Sequence, residues 1–238
     1  MKQTRIIMGM PITIEIRDED NPLVFETVFD YFRSVDARFS PFKSDSELSQ
    51  INRGLPKEKW SDEMKEVMEL CDQTREITGG YFDIYYEGNI DTSGLVKGWA
   101  IDKAAMMLKD LGYNIFFIEA GGDIQVEGDQ WEVGIRNPFD VNEIVKVISI
   151  SGKGVATSGA YIRGDHIYNP IRKSTPIGVS SITVVASDIF EADRFATAAY
   201  AMGSAGINFI NALPEVEGYM IDGSGLATFT KGFANYVA

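Results

Sequence analysis

Three short stretches of this 238-residue chain bring chemically useful side chains together. The first is IDTSGLVKGWAID, from Ile90 to Asp102. Here an acid, Asp91, precedes a Ser-Gly turn, and Lys97 stands at the head of an apolar helix pattern. Ser93 can cap a helix that begins near Val96, leaving backbone N–H groups and the positive dipole end facing outward. A cation in that first turn works against the dipole, and a phosphate in front of the helix resolves the conflict. The plain alternative is a solvated lysine on an ordinary helix. The second stretch is EADRFATAA, in which Asp193 and Thr197 are four residues apart and share one face of a predicted helix. A carboxylate with a hydroxyl is a partial shell for Mg²⁺, a hard ion that takes oxygen ligands and shares its sites with waters and substrate phosphates. An acid near a helix start is also ordinary capping. The third, ATSGAYIRGDHIYNP, gathers Thr157, Ser158, Tyr161, Arg163 and the lone histidine, His166, around glycine turns. A lone histidine serves either as a satisfied structural group or in proton transfer.

The elements that must position these groups are legible from periodicity. ITIEIR (Ile12 to Arg17) alternates as a strand does. Asn21-Pro22 opens a helix with Phe25, Val28, Phe32, Val35 and Phe39 on one face, a core-packing stripe. DSELSQIN (Asp45 to Asn52) reads as a short helix after a loop. A second amphipathic helix starts near Ser61 and turns Met64, Val67, Met68 and Cys71 inward, so Cys71 is expected to be a buried thiol and not a nucleophile. TGGYFDIYY (Thr78 to Tyr86) is expected to be a turn followed by an aromatic strand. The helix after the first motif carries Val96, Trp99, Ala100, Ala104, Met107, Leu108 and Leu111 on its apolar face and stops at Gly112. IFFIE, WEVGIR, VKVISI, ATSGAY and SSITVVAS are strand candidates, AGGD is a turn, and EADRFATAAYAMG is helical. GYMID and FTKGF are expected as closing strands. Helices and strands mix without a βαβ period and no Pro/Ser-rich linker divides the chain, so the expectation is one α+β domain over residues 1–238.

Composition excludes several functions. A net charge of −13 repels nucleic-acid backbones and anionic membranes. One cysteine rules out an internal disulfide, and one histidine rules out His-rich zinc sites. HExxH, GxSxG, GxxxxGK[ST] and paired CxxC motifs do not occur, and AGGDIQVEG lacks dinucleotide-fold spacing. The N-terminus has no long apolar segment or lipobox and no run of about 18 apolar residues occurs, so the chain as given is expected in the cytoplasm without a membrane segment.

Seven segments follow one another in an order that resembles a known family. Met8-Gly9-Met10 is similar to an MGT-like start, Asp45 to Asn52 to DSELSxxN, and Gly80-Tyr81-Phe82-Asp83 to GAFD. Asp91 to Asp102 is similar to DLGGIAKGYAVD, and Ala120 to Ile124 to LGGDI. Ala156 to Tyr161 with His166 to Pro170 is similar to ATSGDY…HIIDP, and Ala192 to Ala199 to ADALATAL. Together they resemble the FAD:protein FMN transferases of the ApbE family, whose fold is related to the T-fold. The resemblance implies Mg²⁺, FAD as substrate, and transfer of FMN to a Thr or Ser hydroxyl of an acceptor flavoprotein with release of AMP. Alternatives within the same fold are an FAD pyrophosphatase and a non-catalytic FAD-binding protein. Carried over by position, it implies Asp193, Thr197 and the Gly94 carbonyl as metal ligands. It implies Met8, Phe42, Tyr81, Phe82, Asp83, Asp91, Lys97 and His166 at FAD, with His166, Asp193 and Lys97 serving the reaction. Departures from the family pattern are Phe42 where a tyrosine is common and Met10 in place of a threonine. NPIRKST (Asn169 to Thr175) replaces DPRTG, and Asp83 and Asp91 are only eight positions apart.

Overall fold

The ITIEIR segment is the second strand of the ribbon that opens the chain. In the computed structural model, residues 1–18, 21–86, 88–159 and 168–238 are described. Strand β1 (Lys2–Ile7) turns through Met8 and Gly9, both at positive φ, into β2 (Met10–Ile16). Helix α1 (Pro22–Phe39) follows, with Asn21 Oδ1 accepting from the Leu23 N–H at 3.1 Å and the expected stripe buried. The short α2 (Glu47–Asn52) and α3 (Asp62–Ile77) are capped by Ser46 and Ser61. Strands β3 (Tyr85–Tyr86) and β4 (Asn89–Ile90) make a small ribbon that leads into α4 (Ser93–Asp110). Then come β5 (Phe116–Ala120), β6 (Asp123–Glu127), β7 (Trp131–Arg136), β8 (Ile144–Ile150), β9 (Gly154–Gly159) and β10 (Ser181–Ala186). Helices α5 (Ile189–Met202) and α6 (Gly206–Ala212) and strands β11 (Glu217–Ile221) and β12 (Ala227–Phe229) complete the fold.

Eight strands form one antiparallel sheet in the order β1-β2-β5-β6-β9-β10-β11-β12. Alternation sends side chains to two cores. Ile14, Phe116, Ile118, Ile182 and Val184 pack under α1, α3, α4 and α5 on one face. Val126, Val155, Val185 and Ile221 meet the β7–β8 hairpin and Phe233 on the other. Strand β10, central and covered on both sides, is buried at every position. The β1–β2 and β5–β6 turns and the end of β9 all lie at one end of this sheet, because Ile12 pairs with Ala120, Ile124 with Val155 and Ser181 with Gly159.

The α+β expectation holds, and several elements differ in detail. TGGYFDIYY supplies only the two-residue β3, because Thr78 Oγ1 accepts from the Phe82 N–H at 3.1 Å and folds the segment back as a turn. Strands β1 and β6 were not anticipated. Neither segment stands among the strand candidates of the sequence, and cross-strand pairing makes them strands. FTKGF ends β12 and enters a 3₁₀ segment, Lys231–Tyr236. Leu111 lies beyond α4 and is exposed, whereas Leu95, Ile101 and Ala105 join the buried face. Buried on both flanks by sheet and helices, α4 is not a one-sided amphipathic helix. Cys71 is buried as expected, and burial, with Asp72 adding charge, pushes its thiol pKa up.

Candidate functional site

The head of α4 is only partly exposed: Asp91 and Ser93 face solvent while Thr92 is buried. Ser93 is not its cap: Thr92 occupies the cap position without a side-chain bond, and the Ser93 N–H donates to Asp91 Oδ1 at 2.9 Å. That head is held by the DSELSQIN helix. Asn52 donates from Nδ2 to the Ile90 carbonyl at 2.9 Å and accepts from the Ile90 N–H at 2.8 Å. Glu47 accepts from both the N–H and the hydroxyl of Ser61, joining α2 to the start of α3. The motif's polar residues therefore build a frame around the entrance to α4.

Lys97 points inward from the first turns of α4. Its ammonium lies 2.6 Å from Asp123 Oδ2 and 3.8 Å from Asp193 Oδ1. Both carboxylates are almost wholly buried, and a buried charge requires a charged or hydrogen-bonding partner. Among the described residues Asp123 Oδ2 has no hydrogen bond, and Lys97 serves it by charge. Asp123 Oδ1 receives only a long bond, 3.4 Å, from the Thr157 N–H. Asp193 Oδ2 accepts from the Gly98 N–H at 2.8 Å. Burial raises the Asp193 pKa most, the Lys97 ammonium lowers it, the Asp123 charge raises it and the Gly98 N–H lowers it, leaving it above the usual carboxylate range. Thr197, one turn along α5, places its hydroxyl 3.4 Å from the Gly94 carbonyl.

Gly98 makes this convergence possible. A Cβ there would lie 2.7 Å from Asp193 Cβ and 2.9 Å from the Ile189 carbonyl oxygen, so only glycine lets α4 and α5 approach this closely. Across the sheet, Gln125 Oε1 accepts from the Ile189 N–H at 2.8 Å and fixes the start of α5 over β6.

Lys97, Asp193, Thr197 and Gly94 are thus brought together, as the sequence suggested. Phe82 is buried in the core, close enough to Gly94 that a Cβ there would lie 3.4 Å from its ring. Tyr81 is half-buried, and Asp83 accepts from the Tyr85 N–H at 3.0 Å and lies 3.6 Å from the Arg75 guanidinium. Asp91 shapes the helix entry, Met8 sits in the β1–β2 turn, and Phe42 is almost fully exposed. Tyr161, Arg163 and His166 lie outside the described residues. Sequence reasoning missed Asp123 as a site residue. Its signal was an acid directly after a double-glycine turn at the opening of a strand.

The donor set fits a hard divalent cation: a carboxylate, a hydroxyl and a backbone carbonyl, all oxygen, where among the described residues two acids meet one lysine. Among the described residues no group of three or more His, Cys, Asp or Glu side chains could hold a metal, so any site here depends on the carbonyl and hydroxyl.

The family model described as the ApbE family matches residues 8–88 and 85–220. The chain belongs to the ApbE family. A Vibrio cholerae protein named FAD:protein FMN transferase is 31% identical over 130 residues, covering 48% of this chain and 39% of that protein. An Escherichia coli protein of the same name is 30% identical over 130 residues, covering 48% and 37%. The matched segment therefore spans under two-fifths of either relative. Among solved structures, the flavin transferase ApbE from Vibrio cholerae superposes with a TM-score of 0.86 at 21% identity, covering 99% of this chain and 98% of that one. The ApbE protein of Thermotoga maritima gives 0.88 at 20%, covering 100% and 99%. These likenesses establish that the ApbE fold extends over the whole chain.

Proposed function

We propose that this ApbE-family chain moves FMN from FAD to a Thr or Ser hydroxyl of an acceptor flavoprotein, in a Mg²⁺-dependent reaction that releases AMP. The observation that carries this reading is the convergence of Lys97, Asp193, Thr197 and the Gly94 carbonyl at the head of α4. The names of the curated relatives support the choice of FAD and of a protein acceptor.

In this reading the acceptor oxygen forms a bond to the FMN phosphorus while the bond from that phosphorus to the AMP oxygen breaks, and AMP leaves. Such a transfer needs positioning and charge neutralisation more than covalent help. Asp193, Thr197 and the Gly94 carbonyl would hold Mg²⁺, which when bound neutralises charge on phosphate oxygens. Lys97 supplies a fixed positive charge at the same helix start, and the first-turn N–H groups of α4 add donors for a phosphate. Phe42, exposed in the α1–α2 loop, offers a ring for stacking. His166, in the segment outside the described residues, is assigned the acceptor proton, because imidazole is the side chain most often used for proton transfer near neutrality.

The test is to incubate the protein with FAD and Mg²⁺, with and without an acceptor flavoprotein, and to follow AMP and in-gel flavin fluorescence together. Transferase activity gives AMP and labelled acceptor in equal amounts. AMP without acceptor identifies an FAD pyrophosphatase, and FAD retention without AMP identifies a flavin-binding protein.

A further inference from the structure

We propose that Asp123 is a positioning residue that holds Lys97 away from Asp193 and thereby keeps Asp193 open to a divalent cation. The inference rests on the metal-bearing reading above, in which Asp123 has no assigned role.

Among the described residues, the pocket brings together two buried carboxylates and Lys97. Lys97 has a long flexible stem, so its ammonium goes where the nearest negative charge holds it. Asp123 stands on β6 in the middle of the sheet, 1% exposed, and takes the ammonium at 2.6 Å. Asp193 stands on α5, and its Oδ1 remains 3.8 Å from the same ammonium. Attraction falls with distance, and at this burial it is little screened. Lys97 is therefore held most closely by Asp123, which leaves Asp193 as the carboxylate available to a cation, on the face that also carries Thr197 Oγ1 and the Gly94 carbonyl. Without the Asp123 charge, the ammonium has Asp193 within reach. A lysine paired to Asp193 cancels the charge that retains a hard cation. Asp123 acts through Lys97 and need not touch metal or substrate.

The experiment titrates Mn²⁺ into the full chain without FAD and counts the free ion by electron paramagnetic resonance. It compares wild type, Asp123→Asn, Lys97→Met and the double variant. Asp123→Asn should weaken Mn²⁺ binding by about tenfold or more, while Lys97→Met should bind as tightly as wild type or tighter, since a competing cation is gone. The double variant leaves Asp193 with its charge and no lysine to claim it, so its affinity should return to within about threefold of wild type, a coupling that a double-mutant cycle isolates. AMP release should stay low in the double variant, because Lys97 is absent. If Asp123 only supports the fold, the double variant will bind as poorly as Asp123→Asn, and that result overturns the inference. Should Asp123→Asn alone fail to fold, the double variant, which removes both members of a buried pair, decides by the same criterion. Wild-type protein that binds no Mn²⁺ overturns the metal-bearing reading itself; wild-type binding that Asp123→Asn leaves unchanged overturns only the role of Asp123.

Discussion

Lys97 carries a positive charge into the start of a helix, where the backbone dipole opposes it. Its buried partner Asp123 offsets that cost, so the anion that the sequence seemed to require in front of the helix is first of all a side chain of the protein. The prediction at this scale concerns Asp193. Asp193→Asn keeps the shape of the side chain and an acceptor for the Gly98 N–H, yet removes the charge that would retain Mg²⁺. AMP release should fall by a factor on the order of 10² or more, and FAD affinity should become insensitive to Mg²⁺ or EDTA while the fold survives. AMP release measured against Mg²⁺ concentration checks this, and coincident curves for the two proteins would place the metal elsewhere.

The site is assembled where two helices touch. Gly98→Ala tests that contact, because two effects oppose each other. Alanine gains about 1 kcal/mol in helix propensity over glycine. The added methyl would meet Asp193 Cβ at 2.7 Å and the Ile189 carbonyl at 2.9 Å, and overpacking of this kind costs about 1–3 kcal/mol. Since one of the clashing atoms is backbone and cannot rotate away, the clash should win. Gly98→Ala should lower the melting temperature, and the shift of α4 should also weaken divalent-ion binding. Gly94→Ala is the control, with contacts of 3.3 and 3.4 Å to side-chain atoms of Thr197 and Phe82 that can yield; it should melt within a few degrees of wild type. A Gly98→Ala protein as stable as wild type would show that the helices have room to spare.

For the whole molecule, a net charge of −13 opposes an anionic ligand, so the proposed FAD site would have to supply positive charge locally, from Lys97 and a bound cation. FAD present at about 100 times its dissociation constant should stabilise the fold by about 2.7 kcal/mol, a melting shift of about 5–10 °C, and NAD should do little. Equal shifts with both would argue against a flavin site. Asp102, on the outer side of α4, has its pKa raised to about 6, chiefly by burial and next by Asp188, with Glu191 adding and Lys103 and Lys109 opposing. The folded state therefore binds a proton that the unfolded state has released between about pH 4 and 6, and stability must fall as pH rises through that window. Asp102→Asn should flatten this slope and stabilise the protein near pH 7 by about 1 kcal/mol, a figure reduced for the solvent that reaches the group; chemical denaturation across pH 4–7 checks it. Among the described residues no helix is long and apolar enough to cross a membrane. The sequence alone determined α1, α3, their caps and most strands, since helical and alternating periods are local properties of the chain. It also singled out Lys97, Asp193 and Thr197, which the fold brings together. Only the tertiary structure decided that β1 and β6 are strands, because their pairing partners supply what their own residues do not. Only the tertiary structure joined Asp123 to Lys97 and made Gly98 indispensable, because both depend on a sheet and two helices meeting at distances no local pattern encodes.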